Sequence, residues 1–300
     1  MATYEGHAFL DDQIASIRSQ SFSDWNLWVS DDSVGDETWR CLKRWKAELG
    51  ARLSILRGRK NGVVANFMSL VCNSEISADY YAFSDQDDVW DHDKLERAVA
   101  WLSRLNDERP ALYCSRTLLV DESNQTELGF SPAFARRPAF ENALVQSIAG
   151  GNTMVFNDAA RSLLIEAGPD VDVVMHDWWA YLVVAACGGE IYFDQTPSLR
   201  YRQHDRNLVG SGAGVLASLR RIREVHLKGV YRGWVDRNVA ALERLGSQLT
   251  PESRRCLGGF LDARKKGPLE RLLGLRASGV YRQTLVGSVS LYVSAFLGRL

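Results

Sequence analysis

The sequence predicts an α/β fold in which a mostly parallel sheet carries helices on both faces and a helical C-terminal region follows. Three observations lead there. Strand-like and helix-like segments alternate through the first 120 residues, the rhythm that builds parallel sheets from crossover units. Two groups of acids, Asp31-Asp32 and Asp85 to Asp88, stand directly after strand-like segments, where open sheets of this kind bind ligands. From about Leu216 onward helical patterning takes over, broken at Gly229, Thr250-Pro251 and Gly267-Pro268.

Leu10, Ile14 and Ile17 line one helical face, and residues 26–30 read as a short strand ending in Asp31-Asp32. A second strand is expected over 51–57 and a helix over 63–76, marked by Val64, Phe67, Met68 and Val71 at helical spacing. Residues 80–84 read as a buried strand ending in acids, 94–106 as a helix carrying Leu95, Val99 and Leu102, and 111–120 as another strand. Beyond Val120 a strand over 150–157 enters through Gly150-Gly151, an apolar helix spans 176–187, and 190–202 is mostly extended. Leu285, Val289, Val293 and Phe296 recur at helical spacing in an uncharged stretch shorter than a bilayer span. An amphipathic helix packed on the protein is the default reading, and one lying on a membrane is the sharper alternative.

Apolar residues make up 46% and charged residues 24% of the chain, enough for a sizeable core and unlike a disordered polymer. Five cysteines without a CxxC pair argue for a reducing, cytoplasmic compartment and against a disulfide framework or a cysteine zinc site. The first fifteen residues hold Glu5, Asp11 and Asp12 and no apolar stretch, unlike a secretory leader. The net charge of −1 hides an asymmetry: residues 211–300 carry 16 Lys and Arg against 6 Asp and Glu, the remainder 20 against 31. A basic tail behind an acidic front suits contact with an anionic surface. The acidic front, with no recognition module, excludes nucleic acid as a partner.

The candidate chemistry lies in a few clusters. Ser84-Asp85-Gln86-Asp87-Asp88-Val89-Trp90 places three carboxylates within four residues. Such a group repels itself unless a cation or ligand compensates, and hard oxygen ligands suit Mg²⁺ or Mn²⁺ bridging to phosphates. The plain alternative is an acidic helix N-terminus. Asp31-Asp32 can hydrogen-bond a nucleoside or cap a turn. His176-Asp177 is either a helix cap or a carboxylate base at a dry pocket walled by Trp178 and Trp179. In Tyr201-Arg202-Gln203-His204, Arg202 can face phosphates and His204 can complete a metal shell. Gly150-Gly151-Asn152 permits close backbone approach to a ligand or simply a tight turn.

Taken in order, Ala2-Thr3-Tyr4-Glu5-Gly6, Gln20 to Trp25, Asp31-Asp32-Ser33, Asn61-Gly62 with Asn66, Ser84 to Trp90, Gly150 to Thr153, His176 to Trp179, and Tyr201 to His204 with Asn207 and Gly210 form a recognisable series. In these the chain resembles the family 2 inverting glycosyltransferases of the GT-A fold, and among them the rhamnosyltransferase-like enzymes of bacterial surface polysaccharide assembly. The resemblance covers residues 1–210, which it makes the catalytic domain, with 211–300 a basic helical region. It implies that Thr3, Tyr4 and Glu5 line a nucleotide pocket, that Asp32 binds the base with Asp31 nearby, and that Asn61 and Asn66 belong to the same site. Asp85 and Asp87 become an Asp-x-Asp motif with Asp87 the direct Mg²⁺ or Mn²⁺ ligand, and His204 and Arg202 further contacts to metal or diphosphate. Asp177 becomes the catalytic base, and Gly151 and Asn152 border the donor sugar and acceptor.

The implied partners are a dTDP- or UDP-linked donor and a lipid-linked saccharide at the inner face of the cell membrane, which the basic tail contacts. Departures from the family pattern are Glu5 in place of Asn and His176 in place of an acid. Family members also carry an apolar strand before the Ala-Thr-Tyr segment, so the native chain is expected to start upstream of Met1. Two other classes are weighed: a magnesium phosphohydrolase, for which Val89 stands where a Thr is needed, and a silent sugar-binding protein, against which Asp85, Asp87 and Asp177 speak together.

Overall fold

The computed structural model describes residues 1–204 and 230–300. It opens with β1 (Ala2–Thr3), α1 (Leu10–Arg18), β2 (Leu27–Asp31), α2 (Glu37–Leu49), β3 (Leu53–Arg57) and α3 (Gly62–Val71). These three strands form a parallel ladder in the order β1-β2-β3, with Ala2 opposite Ser30 and Leu27 opposite Leu53. The expected face of α1 is buried, and Leu10, Ile14 and Ile17 share a cluster with Leu42 and Trp45 of α2.

The middle of the chain supplies β4 (Tyr80–Ala82), β5 (Val89–Trp90), α4 (Lys94–Leu102), β6 (Ala111–Ser115), β7 (Leu118–Val120) and β8 (Glu127–Phe130). Then come α5 (Phe140–Ala143), β9 (Val155–Asn157), α6 (Asp158–Ala167), α7 (His176–Ala186), β10 (Glu190–Asp194) and β11 (Leu199–Arg202). A second ladder runs β10-β6-β9-β4, parallel between β10 and β6 and antiparallel on both sides of β9. Ala2 N donates to Ser84 O at 3.3 Å, so β1 lies beside the chain leaving β4 and links the two ladders. A third, mixed ladder runs β5-β11-β7-β8.

Three expected elements differ, each for a local reason. The helix expected over 63–76 ends at Val71, where the buried Arg161 guanidinium donates to Val71 O and Asn73 O and takes up carbonyls that another turn would use. The strand expected over 111–120 is two strands in different ladders, because the chain crosses at Arg116 and Thr117, whose amides bond Asp194 O and Ser131 Oγ. Residues Gly151–Thr153 form a 3₁₀ turn before β9 rather than strand.

The main core gathers around α7, where Trp179, Ala180, Tyr181, Leu182 and Val183 are all essentially inaccessible, as a helix apolar on every side requires. After the undescribed residues follow α8 (Val230–Glu243), α9 (Pro251–Lys265), α10 (Pro268–Ala277) and α11 (Leu285–Phe296). The two proline breaks fall at helix starts, and Thr250 caps α9 by accepting from Ser253 N. Val235, Leu242, Phe260, Leu275 and Leu291 join the α7 cluster, so these helices pack on the same core. The expected boundary near residue 210, together with Asn207 and Gly210, lies outside the described residues. No described helix is long and apolar enough to cross a membrane. α11 packs on the protein through Leu291 and Ala295, but the stripe picked out in the sequence is its outward face, with Leu285 82% and Val289 56% exposed.

Candidate functional site

The segments that leave β1, β2, β3 and β4 are tied to one another by hydrogen bonds. Asp31, at the end of β2, accepts from Thr3 Oγ1 at 3.0 Å and from Ser33 Oγ at 2.6 Å. Asp32 is buried and accepts from Lys60 N beyond β3 at 2.9 Å. The Glu5 carboxylate accepts from Val34 N and Gly35 N, and these amides, Gly35 foremost, hold its pKa below the ordinary value. Glu5 has φ 48, a left-handed conformation that a non-glycine residue adopts at a cost. Next to Glu5, the Tyr4 side chain is 60% exposed.

Two of the expected pocket residues sit differently. Asn66 is buried on α3, where Nδ2 donates to Ser30 O at 3.0 Å and ties the helix to β2. Asn61 is exposed at the start of α3 and makes no side-chain capping bond.

The acidic loop follows β4. Gln86, between the two expected ligands, accepts from Tyr4 N at 2.8 Å and donates to Tyr4 O at 3.0 Å. Gly6 makes room for it: a Cβ at that position would lie 2.0 Å from Gln86 Oε1. Asp87 Oδ2 accepts from His204 Nε2 at 2.9 Å, and the His204 ring stacks on Phe9 at 4.8 Å. The Asp85 carboxyl is pushed up to about 7, first by burial and then by the charges of Asp87 and Asp177. Asp88 is fully buried; its Oδ2 accepts from Asn152 Nδ2 at 2.6 Å, and burial with the neighbouring carboxylates raises its pKa well above the ordinary value. Asp88 Oδ1 has no hydrogen-bond partner.

Arg202, expected to face phosphates, is instead 3% exposed and braces the loop from behind. Its Nε donates to Asp87 O at 3.0 Å and its Nη2 to Asp12 Oδ2 at 2.8 Å.

Asp177 opens α7. Its Oδ1 accepts from Trp178 N at 2.5 Å and its Oδ2 from Gly151 N at 3.2 Å. Burial nevertheless wins over these bonds and pushes the carboxyl up to about 6. Neither tryptophan walls the expected pocket: Trp178 and Trp179 are 6% and 0% exposed in the core, and Trp178 Nε1 donates to Ala143 O at 2.7 Å. His176 is buried as well, stacked on Phe67 at 3.8 Å and edge-on to Phe83, and burial drops its pKa to about 3. It is therefore neutral and places no positive charge beside Asp177 that would lower its carboxyl.

The two carboxylate sites are connected. Asp88 holds Asn152, and the adjacent Gly151 amide holds Asp177. Asp88 and Gln86 belong to the cluster seen in the sequence, but their roles depend on partners 64 and 82 residues away. Gly151 is fixed sterically, since a Cβ there would lie 2.4 Å from His176 Nε2 and 3.3 Å from Asp177 Cβ. Gly151→Ala is expected to destabilise the fold by about 1–3 kcal/mol through overpacking and to reduce turnover by moving Asp177. Calorimetry and a rate assay check this against Gly258→Ala, where the added methyl meets open space. Equal stability of the two variants would remove the steric account.

The acidic loop fits a divalent cation. Among the described residues no group of three His, Cys, Asp or Glu side chains is assembled to hold a metal unaided. Mg²⁺ and Mn²⁺ beside phosphates typically take only one or two protein ligands, the rest being water and phosphate oxygen. Asp87 Oδ2 and His204 Nε2 share a proton at 2.9 Å; an octahedral ion bound at about 2.1 Å, whose adjacent ligands are roughly 3 Å apart, would take the place of that proton. The buried carboxyls of Asp85 and Asp88 lie in the same loop, and their raised pKa values mark the cost of charge there without a counter-ion.

Comparison with known proteins agrees with this geometry. The profile of the family described as Glycosyl transferase family 2 matches residues 1–163. The chain is 29% identical over 238 residues to the dTDP-rhamnosyl transferase RfbG of Shigella flexneri, covering 76% of this chain and 80% of that protein. Among solved structures, S. aureus TarS residues 1–349 in complex with UDP-GlcNAc superposes with a TM-score of 0.54 at 13% identity, covering 99% of this chain and 89% of that one. Against a longer TarS chain the TM-score is 0.50 at 12% identity, over 76% of this chain and 38% of that one. GalNAc-T7 with UDP, GalNAc and Mn²⁺ gives a TM-score of 0.52 at 12% identity, covering 77% of this chain and 48% of that one. At these identities the structures speak to the fold, which is GT-A-like with a helical C-terminal extension.

Proposed function

The chain belongs to glycosyl transferase family 2, and we propose that it is an inverting, metal-dependent rhamnosyltransferase that moves L-rhamnose from dTDP-rhamnose to a saccharide hydroxyl. The observation that carries the reading is the connection of two carboxylate sites: the Asp85–Asp88 loop is linked through Asn152 and Gly151 to Asp177. The choice of rhamnose is supported by the similarity to the Shigella flexneri protein. Residues 1–210 form the catalytic unit, and 211–300 a basic helical appendage that meets the membrane carrying a lipid-linked acceptor. The setting is bacterial surface polysaccharide assembly on the cytoplasmic side.

In this mechanism Tyr4 lies against the nucleotide while Thr3 and Glu5 shape the rim of its pocket. Asp32 binds the base and Asp31 holds the rim together. Asn61 stands open at the same rim, and Asn66 keeps α3 against β2 beneath it. Asp87 and His204, with Asp85 beside them, would hold a Mg²⁺ or Mn²⁺, whose charge would offset that of the departing nucleoside diphosphate. Arg202 fixes the backbone of Asp87. Gly151 and Asn152 border the donor sugar and acceptor. Asp177 takes the proton from the acceptor hydroxyl as its oxygen attacks the anomeric carbon from the face opposite the leaving group. Configuration at that carbon inverts, and no covalent enzyme intermediate forms.

Thermal unfolding of the full-length protein with dTDP, UDP or GDP, each with and without Mn²⁺, tests the assignment. A ligand at a hundred times its dissociation constant stabilises by about 2.7 kcal/mol. The expected outcome is a Mn²⁺-dependent shift that is largest with dTDP. A larger shift with UDP would reassign the donor to a UDP-linked hexose or galactofuranose. Folded protein that responds to none of the three would overturn the reading.

A further inference from the structure

On α11, Leu285, Val286, Val289, Val293, Phe296 and Leu297 are each between 47% and 82% exposed. At 100° per residue these six fall within an arc of about 120°. The opposite side of the helix buries Gly287, Leu291, Ser294 and Ala295. No charged residue occurs from Leu285 to Gly298. On α10, Leu269 and Leu273, one turn apart, are 71% and 69% exposed. Among the described residues, eight of the fifteen exposed large hydrophobics lie between Leu269 and Leu297. Single exposed hydrophobics are ordinary, but a concentration of this kind marks an interaction surface.

The charge around the surface indicates its partner. Residues 264–300 carry seven Lys and Arg against one acid, Glu270. Arg271 Nη1 donates to Ala295 O, which places a cation at the C-terminal end of the apolar arc, while Arg264, which donates to Leu300 O, is paired with Asp236 at 2.5 Å. Arg282 stands at its N-terminal end, beside Gly287. An aliphatic, charge-free face with cationic ends matches the boundary of an anionic bilayer. A second copy of the chain would bring the same cations face to face. At 12 residues α11 is about 18 Å long, too short to span the roughly 30 Å hydrocarbon layer.

We propose that the exposed faces of α10 and α11 dock on an anionic lipid surface, with α11 lying in the plane of the interface. This rests on the reading of the C-terminal region as membrane-contacting and assigns that contact to particular residues. The same end of the molecule reaches the candidate base. Gln283 N donates to Gln146 Oε1 and Asn142 Nδ2 to Tyr281 O, while Ala143, next to Asn142 on α5, accepts from Trp178, the neighbour of Asp177. The segment leading into α11 is thus linked through α5 to the helix that carries Asp177.

Co-sedimentation of the full-length protein with vesicles of equal parts phosphatidylethanolamine and phosphatidylglycerol tests the surface, with pure phosphatidylcholine vesicles as the comparison. Binding to the anionic vesicles is expected to weaken as salt rises. The variant Val289→Ser/Val293→Ser/Phe296→Ser should bind at least tenfold more weakly and keep its thermal midpoint, since all three side chains are exposed. Arg299 is exposed just beyond the end of α11, and Arg299→Glu, which removes one cation and adds an acid, should weaken binding by more than the roughly fivefold expected per basic residue. Equal binding to both vesicle types, unchanged binding by the triple variant, or no vesicle binding overturns the proposal. So does sedimentation showing self-association through this face without lipid binding. Because the nucleotide-dependent thermal shift needs no vesicles, loss of the docking surface and loss of the transferase reading give different results.

Discussion

Asp177→Asn is expected to lower kcat between about a hundred- and ten-thousandfold, the range for losing a positioned general base, with the KM for the donor little changed. The substitution keeps the shape of the side chain. An Asn oxygen can still accept from Trp178 N or Gly151 N, the two bonds that orient Asp177 at the head of α7. What it removes is the capacity to take a proton. Steady-state kinetics with a purified donor separates the terms: a fall in kcat at constant KM fits a base, whereas a rise in KM alone would make Asp177 a binding residue. The nucleotide-dependent thermal shift should survive. A variant within tenfold of the wild-type rate would eliminate Asp177 as the base.

The same residue sets an expected pH dependence. Burial pushes its carboxyl up to about 6, and only the deprotonated form can accept a proton. The rate should therefore climb as pH rises through about 6 and level off above it. In Asp177→Asn the residual rate should lack this limb. The charge of Asp177 also helps to raise Asp85, so the observed limb reports interacting groups rather than one. A wild-type profile flat from pH 5 to pH 8, a span over which the roughly 6 of Asp177 should act, contradicts the assignment.

The parts of the molecule that the sequence reveals are those set by local pattern. Leu10, Ile14 and Ile17 announce α1 by spacing alone, and the run from His176 to Ala186 is apolar enough to require burial. The acidic loop is conspicuous because three neighbouring carboxylates cannot be buried cheaply without compensation. What stays hidden depends on partners distant in sequence. Arg202 looks free to meet phosphates until the fold brings Asp12, 190 residues away, to its guanidinium. Trp178 and Trp179 serve a core as readily as a pocket wall, and only the packing of α5 on α7 decides. The stripe on α11 has the same spacing whether it faces inward or outward; the burial of Leu291 and Ala295 on the other side turns it out. Asp88 and Gln86 were visible as letters, but their work is to clasp Asn152 and Tyr4.

Asp87→Ala is expected to abolish the metal-dependent nucleotide shift and to lower kcat/KM by about a thousandfold or more. Loss of the charge that a bound cation sets against a leaving diphosphate costs several kcal/mol, and each 1.36 kcal/mol is a factor of ten in rate. The variant should remain folded. Its His204 contact is lost, but the charge of Asp87 is also among the causes that raise Asp85 and Asp88, so its removal relieves repulsion inside the loop. This has a sign that chelated protein can reveal. Asp85 has an ordinary carboxyl value of 3.8 and a folded value of about 7, so the folded state binds its proton more tightly than the unfolded state. The stability from that proton is present in full below the lower value and is lost as pH rises through the higher one. Removing Asp87 lowers the folded value and flattens the loss. The thermal midpoint of chelated wild-type protein should therefore fall more steeply from pH 5 to pH 8, around the folded value of about 7, than that of Asp87→Ala. Added Mn²⁺ with dTDP should restore the wild type alone, because only it keeps the carboxylate that makes the empty loop costly and the filled one stable. Equal metal-dependent rescue of both proteins would place the cation elsewhere.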